Sequence, residues 1–136
     1  MEMSPYLSFN GQCEAAFKFY ERCLGAKIES MLTHGQSPMA DQVAPDWRDR
    51  IIHARLLVGG KVLMGSDNPP EHYEEPKGIS LTLTIVDPKE ADRVFNELSA
   101  GGTVRMPIQE TFWAVRFGML VDRFGIPWMV NCEKAA

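Results

Sequence analysis

Two stretches of this chain hold most of the side chains able to do chemistry. Over Ile51–Val58 the residue types suit a strand, so alternation puts Ile52, Ala54, Leu56 and Val58 on one face and His53, Arg55 and Leu57 on the other. An imidazole on such a face can serve as a general base near neutral pH or hydrogen-bond a substrate. The competing reading is a structural histidine bonded to a neighbouring strand or loop. The second stretch groups Gln109, Glu110, Trp113 and Arg116. Arg116 alternates onto the same face as Ala114 and Gly118, whose small side chains leave room beside it. A guanidinium in an apolar pocket suits bidentate binding of a carboxylate or phosphate, and Trp113 could supply a stacking wall. Alternatively, Arg116 pairs with Glu110 and Trp113 closes the core. His34 and His53 with Glu110 could form a two-histidine, one-carboxylate metal site, although no local ligand motif supports that grouping.

The elements that must position these groups follow from punctuation and periodicity. Tyr6–Phe9 reads as a strand and Asn10-Gly11 as a turn. From Gln12, the positions Ala15, Ala16, Phe19, Tyr20 and Cys23 follow a helical period, with Gly25 placed to end it. Ala26–Thr33 is a strand. His34–Arg50, with Gly35, Pro38 and Pro45, is a long excursion with a helical turn near Asp46–Arg50; Trp47 lies on it, to fold over a site or bury at a subunit contact. Ile51–Val58 and Val62–Ser66 flank a Gly59-Gly60 hairpin turn, and the proline-rich Asp67–Lys77 connects to a second unit. That unit reads as strand Ile79–Val86, a helix capped by Asp87-Pro88 and ended at Gly101, strand Thr103–Met106, loop Pro107–Thr111, strand Phe112–Val121, and strand Trp128–Cys132.

The two units repeat one another. Glu14, Ala15, Phe19, Glu21, Gly25 and Ile28 recur seventy-six positions on as Glu90, Ala91, Phe95, Glu97, Gly101 and Val104. The fold expected is α+β: two tandem β-α-β-β-β units, 4–68 and 78–133, within one domain of 1–136, their eight strands forming a curved sheet around a cavity with the helices outside. A cavity of that kind suits a small-molecule ligand.

With 136 residues, 45% hydrophobic and 24% charged, the chain is of ordinary globular composition. A net charge of -4 with scattered basic residues excludes an electrostatic footprint for nucleic acid and gives no attraction to an anionic membrane. Met1–Phe9 has neither the basic start nor the apolar run of a signal peptide, and no stretch is apolar for long enough to span a membrane. Cys13, Cys23 and Cys132 are odd in number and lie in no close pair, so reduced thiols and a cytoplasmic location are expected.

Several segments carry a family resemblance: Tyr6-Leu7-Ser8-Phe9, Ile52-His53-Ala54, Met64-Gly65-Ser66-Asp67, Gln109-Glu110-Thr111-Phe112-Trp113, and Asp122-Arg123-Phe124-Gly125-Ile126-Pro127-Trp128. Over nearly its whole length the chain resembles the PhnB-like branch of the vicinal oxygen chelate superfamily, which includes glyoxalase I, bleomycin-resistance proteins and extradiol dioxygenases. The resemblance implies a homodimer, with paired units within or between chains. It also implies a divalent metal held by the first and last strands of each unit. Here those positions fall at Pro5, Met64, Ser80 or Leu81, and Met129, with Asp67 nearby. Proline, leucine and thioether are poor ligands for the metals concerned, so no metal and no cofactor is expected. Phe9, Met64 and Met129 then form an apolar cavity floor or plain core. Branch members often carry a demethylubiquinone methyltransferase label, yet no glycine-rich strand-to-helix turn for such a cofactor is present. The function expected is metal-independent binding of a small organic acid or aromatic molecule. The alternative is a metal-dependent lyase, isomerase or dioxygenase using an unconventional set from His34, His53, Glu110 and Asp67.

Overall fold

A computed structural model describes residues 1–134. The chain divides into two compact units, Met1–Glu74 and Glu75–Ala136. Each contains one four-stranded sheet and one α-helix among the described residues. The eight strands thus form two separately hydrogen-bonded sheets and not one continuous sheet.

In the first unit the order is β1 (Tyr6–Phe9), α1 (Cys13–Leu24), β2 (Lys27–Thr33), β3 (Ile51–Val58) and β4 (Lys61–Asp67). Sheet 1 runs β1-β4-β3-β2, with β1 parallel to β4 and the other pairs antiparallel. Helix α1 buries Cys13, Ala16, Phe17, Phe19, Tyr20 and Cys23, and Gly25 ends it in the left-handed region at φ 64°. Gly65 of β4 makes room for this helix, because a Cβ there would lie 3.0 Å from Phe17 Cζ. The Asp67 carboxylate locks the assembly: Oδ1 accepts from the Cys13 amide and Oδ2 from the Ile51 amide, both at 2.8 Å.

In the second unit the order is β5 (Leu81–Thr84), α2 (Pro88–Ser99), β6 (Thr103–Gln109), β7 (Ala114–Val121) and β8 (Pro127–Glu133). Sheet 2 runs β5-β8-β7-β6 with the same pattern of pairing. Asp87 caps α2 by accepting from the Lys89 amide, with Pro88 in the first turn. Ala91, Val94, Phe95 and Leu98 form its buried stripe. Asp122 closes the β7–β8 hairpin, accepting from the Phe124 and Ile126 amides at Oδ1 and from Trp128 Nε1 at Oδ2.

Several segments differ from expectation: β5 forms only over Leu81–Thr84 of the expected Ile79–Val86, whose end residues are exposed, β7 begins at Ala114 and not at Phe112, and α2 ends at Ser99 with Ala100 before Gly101. Strand β6 continues through Pro107 to Gln109, whereas proline was expected to end it at Met106. Strand β6 is the edge of sheet 2, where a missing N–H is tolerated, and a register shift between Met106 and Gln109 absorbs the ring. The 34–50 excursion is not a loop with one turn but three 3₁₀ turns, His34–Gln36, Ala40–Gln42 and Pro45–Trp47. The His34 and Gly35 amides donate to the Arg50 and Arg48 carbonyls at 2.9 Å, so the segment extends the β2–β3 hairpin.

Candidate functional site

Each sheet has one face against its helix and one facing away, and pairing registers assign the side chains. On sheet 1, the buried Leu7, Phe9, Ala54, Leu56, Leu63 and Gly65 belong to the α1 side. Tyr6, Met64, Arg55 and Ser30 form a row across all four strands on the opposite side. His53 faces the same way, paired across with Leu32. The Tyr6 hydroxyl and His53 Nδ1 share a hydrogen bond of 3.1 Å, with the rings 5.7 Å apart. Arg55 Nη1 donates to Met64 Sδ at 3.8 Å and Nε to Glu29 at 3.3 Å. Ser8, paired with Ser66, accepts from Asn68 Nδ2. A phenol, an imidazole and a guanidinium therefore share one half-exposed face, suited to a ligand with an acidic or hydrogen-bonding group.

On sheet 2, Trp128, Val130 and Cys132 are buried on the α2 side, and Met129 and Asn131 alternate away from it. Two rows cross this outer face: Gln109, Phe117, Asn131 and Thr84, and then Met106, Met119, Met129 and Thr82. Trp113 meets Phe117 edge-on at 5.4 Å, and Phe112 meets Trp113 edge-on at 4.8 Å. Phe112 and Trp113 are exposed.

This geometry keeps some expected site residues together and removes others. His53 and Met64 share the outer face of sheet 1; Met129 lies on the outer face of sheet 2, with Trp113 against it. Phe9 does not. It is 1% exposed and packs edge-on against Phe17 of α1, because alternation from Leu7 turns it to the helix side. Arg116 does share its face with Gly118, but that face is the one α2 covers. A Cβ on Gly118 would lie 2.6 Å from Phe95 Cε2, so the room belongs to a helix side chain and not to a ligand. Arg116 Nε instead pairs with Asp92 of α2 at 3.1 Å, and Nη1 donates to the Val115 carbonyl. Its partner is thus not Glu110, which is exposed and lies 3.9 Å from Lys134 Nζ.

Trp47 packs within its own segment, 6.4 Å from the His34 ring and beneath the Arg50 guanidinium. Sequence reasoning missed Tyr6, Phe117 and Asn131. The signal for Tyr6 was available, since its β-strand neighbour Leu7 alternates with it.

The donor set does not fit the superfamily's metal. Among the described residues no group of three or more His, Cys, Asp and Glu could hold an ion. At the Met64 corner, the Arg55 guanidinium 3.8 Å from Sδ would repel a divalent cation. Asp67 has both carboxylate oxygens engaged by backbone amides, which removes it from the unconventional ligand set. The buried thiol of Cys13 is no nucleophile either: burial, then the negative charges of Asp67 and Glu14, push it far up from the ordinary thiol range.

Comparison with known proteins follows the same lines. A family model described as 3-demethylubiquinone-9 3-methyltransferase matches residues 1–131. Protein YjdN of Escherichia coli (strain K12) is 38% identical over 144 aligned residues, covering 98% of this chain and 97% of YjdN. The crystal structure of protein PA1353 from Pseudomonas aeruginosa is 50% identical with a TM-score of 0.89, each chain 99% covered. A PhnB protein from Bacillus cereus is 25% identical with a TM-score of 0.83, covering 97% of this chain and 99% of that one. The activity in the family's description calls for a methyl-donor site. The two strand-to-helix turns here, Asn10–Gln12 and Ile85–Asp87, hold one glycine between them and do not fit a glycine-rich cofactor cradle. No helix among the described residues is long and apolar enough to cross a membrane.

Proposed function

This chain belongs to the 3-demethylubiquinone-9 3-methyltransferase family, the PhnB-like branch of the vicinal oxygen chelate superfamily, and on that footing we propose that it binds a small organic acid or aromatic molecule without a metal. The binding surface is the strand face turned away from the helix in each unit. The anion-reading role expected of Arg116 passes to Arg55. The observation that carries this reading is the Tyr6–His53 hydrogen bond on the face that also presents Arg55. A carboxylate meeting that face gains charge-assisted hydrogen bonds to the guanidinium by displacing or joining its long, exposed 3.3 Å contact with Glu29, while the Tyr6 and His53 rings offer flat area beside it.

The test uses benzoate, which combines both features. Benzoate is expected to raise the Tm of the metal-free protein, and Arg55→Ala to weaken its binding by about tenfold, the scale of one charged hydrogen bond. Elemental analysis of protein purified without chelator is expected to find no stoichiometric metal. Firmly bound Ni, Zn, Mn or Fe whose removal abolishes the benzoate response would overturn the proposal. The same reading keeps a cytoplasmic homodimer, for which light scattering should give twice the 15.3 kDa of one chain.

A further inference from the structure

The outer face of sheet 2 contains a covered polar atom that the fold leaves without a partner, Asn131 Oδ1. The strand needs only the backbone of Asn131, whose carbonyl accepts from the Ile85 amide at 2.8 Å. An apolar side chain at this position would pack between Phe117 and Thr84, its register partners, without leaving a bare carbonyl oxygen, so the amide is carried at a cost to stability. A covered polar atom without a partner calls for an explanation, and a ligand group that supplies the missing donor is one.

The surroundings define that ligand. Phe117 stands directly across from Asn131, and Trp113 and Phe112 continue the aromatic wall edge-on. The paired Met119 and Met129 lie in the next row, offering soft, adaptable thioethers to a flat ring. A carboxamide presents C=O and NH₂ side by side, so it matches an edge that carries an adjacent donor and acceptor.

Resting on the proposal that the outward strand faces bind small molecules, we infer that this face reads a planar ring bearing a lactam-like or carboxamide-like edge, hydrogen-bonded to the Asn131 side chain and packed against Phe117 and Trp113.

The probes are 2-quinolone, which has that edge, and quinoline, which lacks it. Binding to the full chain is followed by calorimetry and tryptophan fluorescence. The protein is expected to prefer 2-quinolone by about tenfold or more, as a lost hydrogen bond to a covered group implies. Asn131→Leu should abolish the preference while leaving Tm equal or higher, and Asn131→Asp, which keeps the acceptor and loses the donor, should reduce it. Equal affinities for the two probes, no binding of 2-quinolone, a preference that survives Asn131→Leu, or a lowered Tm in Asn131→Leu would each overturn the inference. Benzoate binding that still depends on Arg55 would then leave the proposed function standing. Loss of the benzoate response as well would remove both.

Discussion

Arg116 Nε lies 3.1 Å from Asp92 Oδ1, joining β7 to α2 on the side where Phe95 fills the space above Gly118. The pair is about one-third exposed, so solvent screens much of its attraction. Arg116→Ala and Asp92→Ala should each lower unfolding stability by about 0.5–1 kcal/mol in urea denaturation, with a coupling energy below about 1 kcal/mol in the double mutant. Neither should change benzoate affinity. A tenfold loss of affinity in Arg116→Ala, with stability intact, would show that the guanidinium leaves Asp92 to meet a ligand.

A much larger effect is expected at Asp67. Its two carboxylate oxygens each accept a 2.8 Å hydrogen bond from a backbone amide, one at the start of α1 and one at the start of β3. The residue is 3% exposed, so water cannot replace either bond. Asp67→Ala leaves both amides without their acceptor and should destabilise the fold by about 3 kcal/mol or more. Asp67→Asn retains one acceptor oxygen and turns an NH₂ group toward the other amide, so it should lie between the two. Denaturation midpoints within about 0.5 kcal/mol of wild type would contradict this anchoring role.

The same aspartate shows where the sequence was readable and where it was not. Strand alternation is local, so the separation of His53 and Arg55 from Ala54 and Leu56 could be read directly and holds in the structure. The asparagine-glycine turn, the Asp87-Pro88 cap and the Gly25 stop are equally local. What alternation cannot say is which face a helix covers. On β7 a small residue such as Gly118 is equally compatible with space for a ligand and space for Phe95, and the ligand reading of Arg116 rested on that ambiguity. Asp67 is a related case, since the amides it holds are 54 and 16 positions away and no local pattern announces them. Asn131 looks in sequence like any polar residue on a solvated face; only its covered, partnerless oxygen sets it apart. Even the repeat is shifted. Identities recur at seventy-six positions, but the buried stripes Ala16, Phe19, Tyr20, Cys23 and Ala91, Val94, Phe95, Leu98 lie seventy-five apart. The helix bounds moved with the stripes, since Cys13–Leu24 and Pro88–Ser99 are also seventy-five apart; Gly25 therefore caps α1 directly, whereas Ala100 stands between α2 and Gly101.

Close packing makes two glycines of the second unit unequal in their tolerance of alanine. A Cβ on Gly118 would meet the Phe95 ring at 2.6 Å and the Ile108 Cα at 3.0 Å. The ring can tilt, so Gly118→Ala should cost about 1–3 kcal/mol. On Gly102 the same atom would lie 2.2 Å from the Val121 carbonyl oxygen, with Asp122 backbone atoms at 2.9 Å. Backbone held in a hairpin cannot rotate aside, and Gly102→Ala should be the more damaging of the two. Thermal unfolding of both variants checks the order; a Gly102→Ala protein as stable as wild type would show that the 103–122 hairpin can shift bodily.

Cys13 gives the fold a defined weakness at alkaline pH. Its thiol is fully buried, and burial together with the negative charges of Asp67 and Glu14 raises its ionisation above the ordinary thiol value. In the unfolded chain the same group titrates at about 8.5. Below that pH both states keep the proton and the full stability is present. Above it the unfolded thiol ionises while the folded one does not, so stability falls as pH rises, by about 1.4 kcal/mol per unit. Cys13→Ala removes this contribution. The variant should be less stable than wild type at pH 7, through the small void it leaves, and the gap should close steadily between pH 8.5 and 10 in urea titrations. Taking the difference between the two proteins cancels whatever other groups contribute equally to both. A gap that stayed constant across that range would mean the Cys13 thiolate is tolerated inside the fold, and the burial that rules it out as a nucleophile would have to be reconsidered.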